Sequence, residues 1–69
     1  MNSSVQKKLK QLPTNPGVYQ FFNSNDKIIY IGKAKNLRNR VRSYFQSKKH
    51  QRAKTISLVK NIANIEWII

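Results

Sequence analysis

The sequence of 69 residues has no cysteine, one histidine and only two acidic residues. The absence of cysteine excludes disulfide bonds and thiolate metal sites, and His50 alone does not make a zinc site. The two acids, Asp26 and Glu66, leave few carboxylates that could bind a divalent cation. A chain of this length forms one small domain, whose stability has to come from packing.

Long hydrophobic runs are also missing. No stretch approaches the roughly 20 apolar residues of a membrane-spanning helix, and residues 1–12 are polar and lysine-rich, unlike a signal peptide. We therefore expect a cytoplasmic protein without a membrane partner.

The chain is strongly basic. It has 14 lysines and arginines against its two acids, which gives a formal net charge of +12. Such an excess favours a polyanionic partner, and DNA or RNA is the first candidate.

The hydrophobic pattern predicts an α+β fold, a small α/β sandwich with the element order α-β-β-α-α-β. Apolar residues at helical spacing predict three helices, at about residues 3–12, 36–46 and 51–63. Runs of β-forming residues predict three strands, at residues 18–22, 27–31 and 65–69. We expect an antiparallel hairpin and a third strand with flanking helices. Gly32 is expected to end the second strand.

The hairpin register follows from the turn sequence at residues 23–26, Asn-Ser-Asn-Asp. A loop of two or four residues pairs positions whose numbers sum to about 49, so that Tyr19 faces Tyr30 across the strands. A bulge or an odd loop would shift the pairing by one and turn one tyrosine to the other face.

Three arginines of the predicted second helix lie on different sides of its apolar stripe. Asn36 is a good N-cap for this helix. At ~100° per residue, Arg40 falls close to Tyr44 at the edge of the core, where it could line a cleft. Arg38 and Arg42 fall on the other side and are expected to be solvated.

Two tripeptides and the segment that follows them resemble a known family. The residues are Gly17-Val18-Tyr19, then Tyr30-Ile31-Gly32 eleven residues on, then residues 33–38, Arg40, Arg42, Tyr44 and Phe45. This pattern resembles the GIY-YIG nuclease superfamily and, more narrowly, the N-terminal catalytic domain of UvrC, the nuclease subunit of bacterial nucleotide excision repair. The likeness covers nearly the whole chain.

The resemblance implies a metal-dependent DNA endonuclease, with Mg²⁺ or Mn²⁺ as cofactor, that makes the 3′ incision in damaged DNA. It implies DNA as a partner and, in the full-length protein, UvrB, with UvrA acting upstream. The family's metal-binding glutamate matches no residue, since it belongs to a helix after the third strand. We therefore expect residues 1–69 to be the N-terminal part of the domain, inactive by themselves and without a metal ligand. The large apolar residues at the C-terminal end agree with a truncated chain.

The resemblance also implies roles for individual residues. Tyr30 falls on the family's general base, Tyr19 on a residue that orients the site, and Lys33 and Arg40 on its basic positions. Tyr44, Gly17 and Gly32 are possible supporting residues. A phenol titrates near ~10, so a base at neutral pH needs positive charge nearby. A guanidinium also suits a phosphate, because its planar fork binds two oxygens.

The remaining basic residues are predicted to attract the DNA backbone without specific readout. They are Lys35, Arg38, Arg42, Lys48, Lys49, Arg52 and Lys54. Two interpretations stay open beside the UvrC-like one. A tyrosine pair on a hairpin also occurs as simple aromatic packing, which would fit a non-catalytic nucleic-acid-binding module. The chain could equally come from another GIY-YIG endonuclease, such as a homing or restriction enzyme or an exonuclease-fused relative.

Overall fold

The computed structural model describes residues 3–46 and 52–69. Its elements follow the predicted order α-β-β-α-α-β, and the α+β fold class is confirmed. The helices are α1 (Ser3–Gln11), α2 (Leu37–Tyr44) and α3 (Ala53–Asn61). The strands are β1 (Gly17–Phe22), β2 (Ile28–Ala34) and β3 (Asn64–Ile68). None of the helices in these two ranges is both long and apolar enough to cross a bilayer.

The three strands form one antiparallel sheet in the order β2-β1-β3. In the central strand β1, Tyr19 and Phe21 are buried while their neighbours are half-exposed, as the alternation of a strand requires. The core draws on α1, α2, β1 and β3 and on Leu12 and Ile62, which follow α1 and α3. Its buried members are Val5, Leu12, Tyr19, Phe21, Leu37, Val41, Tyr44, Ile62 and Ile65.

Helix α2 begins where the sequence predicts. The side-chain oxygen of Asn36 accepts a hydrogen bond from the backbone N–H of Asn39 at 3.0 Å, so the predicted N-cap is confirmed. The helix carries its apolar stripe to the core through Leu37 and Val41, both fully buried. Residues 47–51, with Lys48, Lys49 and His50, lie outside the described residues.

The predicted hairpin register is wrong by two positions. Tyr19 pairs with Gly32, and Phe21, not Tyr19, pairs with Tyr30. The loop has three residues, 24–26, closed by a hydrogen bond from the N–H of Asn23 to the carbonyl of Lys27 at 2.9 Å. This odd loop shifts the pairing by one.

A second shift comes from a bulge in β2. Phe21 pairs with Tyr30 but Phe22 pairs with Ile28, so Ile29 is the extra residue. The loop and the bulge each shift the pairing by one residue, so that the total shift is two residues. Because side chains alternate with a period of two, Tyr19 and Tyr30 remain on the same face of the sheet.

Two further predictions need correction. Gly32 does not end β2, which continues to Ala34. A Cβ at Gly32 would overlap the Tyr19 ring at Cζ and Oη, so this position needs glycine because the ring lies across it. Arg38 is not solvated: it is half-buried, and its Nε donates to the carbonyl of Leu12 at 2.8 Å, which ties α2 to the end of α1.

Candidate active site

Three tyrosines gather on the sheet face that carries α2. The ring centroids of Tyr19 and Tyr30 are 6.1 Å apart and nearly stacked, and those of Tyr30 and Tyr44 are 6.2 Å apart. Tyr19 is 1% exposed and Tyr44 is 9% exposed, whereas Tyr30 is 40% exposed. Tyr30 is therefore the tyrosine of the three that a solvent-borne ligand reaches.

The two buried tyrosines are joined by a hydrogen bond. The hydroxyl oxygens of Tyr19 and Tyr44 are 2.9 Å apart. Burial raises the pKa of Tyr44 far above its usual range, and its hydrogen bonding with Tyr19 raises it further. Tyr44 thus keeps its proton at any physiological pH and serves to hold neighbouring groups in place.

Arg40 lies beside this pair, at the position the helical wheel predicts. Its guanidinium carbon is 5.2 Å from the centroid of the Tyr44 ring, a cation–π contact. A side-chain hydrogen bond with Tyr19 raises the pKa of Arg40, which therefore stays charged. The two tyrosines orient a permanent positive charge close to the exposed Tyr30.

These groups line one wall of a cleft of about 730 Å³. Tyr30, Arg40, Ser43 and Tyr44 come from β2 and α2. The opposite wall is formed by the start of α3, and Ile29 and Leu58 supply the apolar surface. The residues of the α3 wall are Arg52, Lys54 and Thr55. Ile29 reaches the cleft as the bulged residue of β2, so the bulge shapes the site.

Sequence reasoning missed Ser43 and Thr55, and it placed Lys54 only among the residues that attract the DNA backbone without specific contacts. Lys54 and Thr55 lie on a helix whose apolar stripe could be predicted, but that stripe does not reveal which neighbour the helix faces. Lys54 and Thr55, at the start of α3, do not belong to any recognisable sequence motif. Only the packing of α3 against the β2 and α2 side brings them to Tyr30.

The predicted basic residues divide into two groups. Arg40 and Arg52 line the cleft. Lys33 pairs with Val18, so the alternation of β2 directs its side chain to the sheet face opposite Tyr19 and Gly32. Lys33, Lys35 and Arg42 are exposed. The catalytic assignment of Lys33 rests on the resemblance alone.

Packing explains why position 17, predicted as a supporting residue, is a glycine. A Cβ there would overlap the backbone carbonyl oxygen of Ile68. Gly17 therefore lets the start of β1 approach the end of β3, which is the packing that holds the sheet next to α2.

Neither acid of the chain lines the cleft. Glu66 pairs with the ammonium of Lys8 at 2.7 Å, and Asp26 sits in the hairpin loop. Within residues 3–46 and 52–69, no cluster of three or more histidine, cysteine or acidic side chains could hold a metal ion. These residues do not by themselves fit a divalent cation, which prefers carboxylate oxygens.

Residues 15–69 match the family model described as the UvrC-like GIY-YIG domain. Two curated relatives are each named UvrABC system protein C. The one from Pelodictyon phaeoclathratiforme is 59% identical over 66 residues, which is 96% of this chain and 10% of that protein. The one from Bdellovibrio bacteriovorus is 58% identical over 94% of this chain and 10% of that protein. The chain spans about a tenth of the length of these relatives.

Solved structures of the GIY-YIG N-terminal endonuclease domain of UvrC from Thermotoga maritima superpose on the whole chain. The domain bound to magnesium as its catalytic divalent cation has a TM-score of 0.81 and 39% identity, with 73% of that chain covered. A point mutant with a tyrosine replaced by phenylalanine, also bound to its catalytic divalent cation, has a TM-score of 0.82 and 38% identity, with 72% covered.

Proposed function

Because the chain belongs to the UvrC-like GIY-YIG domain family, we propose that it supplies the tyrosine and arginine half of a DNA endonuclease site. In the complete protein this site hydrolyses a phosphodiester and makes the 3′ incision in damaged DNA. The observation that carries the proposal is the exposed hydroxyl-bearing ring of Tyr30, which faces a cleft beside the oriented charge of Arg40.

Four side chains in and beside the cleft have distinct parts in the proposed reaction. Tyr30, in its phenolate form, accepts a proton from the attacking water as the general base and becomes the phenol. Arg40 binds the non-bridging oxygens, on which negative charge accumulates in the transition state. Tyr19 and Tyr44 do not react; they hold Arg40 in place through the hydroxyl pair and the cation–π contact.

The divalent cation requires a carboxylate that the described residues do not bring to the cleft. We propose that a glutamate from the part of the family domain not covered by this chain supplies it. When bound, the cation would add Lewis-acid stabilisation of the phosphate oxygens. In Thermotoga maritima, domains with a tyrosine changed to phenylalanine are still bound to the cation, which supports separate roles for tyrosine and metal.

The partners of the complete protein follow from its family. The relatives are components of the UvrABC system, which supports DNA as the substrate and UvrB, with UvrA upstream, as the proteins it works with in the cytoplasm. The basic surface suits DNA. The basic residues expected to attract its backbone are Lys35, Arg42, Lys48, Lys49, Arg52 and Lys54. Arg38 is tied to the carbonyl of Leu12 instead, and Lys33 stays a proposed catalytic residue.

The test uses a hybrid protein in which this chain replaces the matching residues of the Pelodictyon phaeoclathratiforme relative, which are 59% identical. Incision of damaged DNA is measured with the other UvrABC proteins present. Tyr30→Phe is expected to slow the 3′ incision by at least about a hundredfold, because the base is lost. DNA affinity is expected to stay nearly unchanged. A Tyr30→Phe hybrid that cuts normally would contradict the general-base role.

Arg40→Ala and Arg42→Ala form a matched pair on α2. Arg40→Ala is expected to slow incision by about a hundredfold, because an oriented transition-state contact is removed. Arg42→Ala, which removes the same charge from an exposed position, is expected to have an effect of under about threefold. Equal effects of the two substitutions would contradict the transition-state contact of Arg40 and would mean that it acts only through diffuse charge.

A further inference from the structure

The cleft has two walls, and the proposed reaction uses only one. Tyr30 and Arg40 lie on the β2 and α2 side, while Lys54 and Thr55 of α3 face them across the same cavity. Thr55 is half-buried with a hydroxyl, and Lys54 is exposed with a mobile ammonium group. Leu58, one turn further along α3, lines the apolar part of the cleft and fixes which side of the helix is presented.

The cleft is lined by more positive charge than a single phosphate would neutralise. Arg40, Arg52 and Lys54 line it, whereas the two acids of the chain lie in the hairpin loop and in the Lys8–Glu66 ion pair. A DNA strand carries a phosphate on each nucleotide, so a strand that places one phosphate at Arg40 brings its neighbours into the same groove.

We propose that Lys54 and Thr55 bind the DNA phosphate next to the one that is cut, so that α3 forms a second phosphate site in the cleft. This inference rests on the proposed function. Lys54 supplies a charge-assisted hydrogen bond and Thr55 donates its hydroxyl to the same phosphate. The second site fixes the register of the strand, which places the bond to be cut at Tyr30.

The first test measures binding of the 69-residue chain to duplex DNA as a function of salt. Each phosphate contact made by a lysine adds about 0.9 to the slope of log affinity against log salt. Lys54→Ala is expected to lower the magnitude of that slope by about one. The matched control is Lys60→Ala, on the same helix but outside the cleft lining, which is expected to leave the slope nearly unchanged. Equal slopes for the two variants would overturn the proposal.

The second test uses incision by the hybrid protein on DNA with a neutral methylphosphonate at each phosphate that flanks the cut. One flanking position is expected to slow the unaltered hybrid about tenfold. The Lys54→Ala hybrid is expected to cut normal DNA about tenfold more slowly and to show no further slowing at that position. Thr55→Val is expected to slow incision, and Thr55→Ser to restore it.

The outcomes separate this inference from the proposed function. If the methylphosphonate slows incision by the same factor in the Lys54→Ala hybrid as in the unaltered hybrid, α3 does not hold that phosphate. This conclusion does not depend on the result for Tyr30→Phe. If the Tyr30→Phe hybrid cuts normally, or the unaltered hybrid fails to cut, the proposed function fails. The salt slopes of Lys54→Ala and Lys60→Ala still decide the phosphate contact in that case.

Discussion

Tyr44 holds two neighbouring side chains in position, one through its hydroxyl and one through its ring. The hydroxyl meets that of Tyr19 at 2.9 Å, and the ring carries the guanidinium of Arg40. A buried hydroxyl that loses its partner costs about 1 to 3 kcal/mol. The same residue therefore contributes to the stability of the fold and to the orientation of the candidate site.

Tyr44→Phe is expected to lower the free energy of unfolding by about 1 kcal/mol at pH 7. The pKa of Tyr44 is raised from its usual value of 10.0 in the folded state, so its contribution is fully present below about pH 10. Above that pH the unfolded chain ionises first, and the contribution falls by up to about 1.4 kcal/mol per pH unit. The difference between the two proteins, measured by urea unfolding, should therefore shrink as pH rises.

The comparison between the parent and Tyr44→Phe matters because it cancels the pH dependence of stability that both proteins share. A difference between the parent and Tyr44→Phe that stays constant from pH 8 to 11 would show that the hydroxyl is not buried as described.

At the scale of single residues, the sequence predicts the position of a side chain well when that position depends on the periodicity of one helix. Arg40 falls beside Tyr44 because both lie on α2, whose periodicity is visible. The place of Lys54 and Thr55 in the cleft was missed because it depends on how α3 packs against other elements. Arg38 was misplaced for a similar reason, since its partner is the carbonyl of Leu12, just after the end of α1.

Among the elements, the hairpin shows most clearly what local sequence leaves open. The β-forming residues of β1 and β2 predict both strands, yet the register depends on a left-handed residue and a bulge. Asp26 has a φ of 64°, which closes a three-residue loop, and Ile29 is the bulged residue. Neither feature follows from strand propensity, because the turn residues at 23–26 are compatible with several loop lengths.

Substitutions at Asp26 test this loop. Asp26→Gly is expected to stabilise the chain by about 0.5 to 1 kcal/mol, because glycine adopts positive φ without a Cβ clash. Asp26→Val is expected to destabilise it by about 1 to 2 kcal/mol. Urea unfolding measures both. A loop of two or four residues that does not need positive φ at this position would reverse the order.

The whole molecule is dominated by charge of one sign. Its formal net charge is +12, and the Lys8–Glu66 pair uses one of its two acids. The other basic groups repel one another over a Cα radius of gyration of 11.2 Å, which is close to the Debye length of about 10 Å at 0.1 M salt. Self-repulsion therefore acts across the entire fold at low ionic strength.

Salt is expected to affect stability and DNA binding in opposite directions. Raising sodium chloride from 0.02 to 0.3 M, in steps of about twofold, should increase the free energy of unfolding, because screening weakens repulsion among like charges. The same change should weaken DNA binding steeply, because each phosphate contact releases a counterion. Urea unfolding and fluorescence anisotropy measure the two effects on one sample. The charge that we propose binds DNA also opposes folding, so bound DNA should raise the apparent stability most at low salt. Stability that is independent of salt would show that the basic groups are too far apart to repel one another, and with it that they do not converge on one groove.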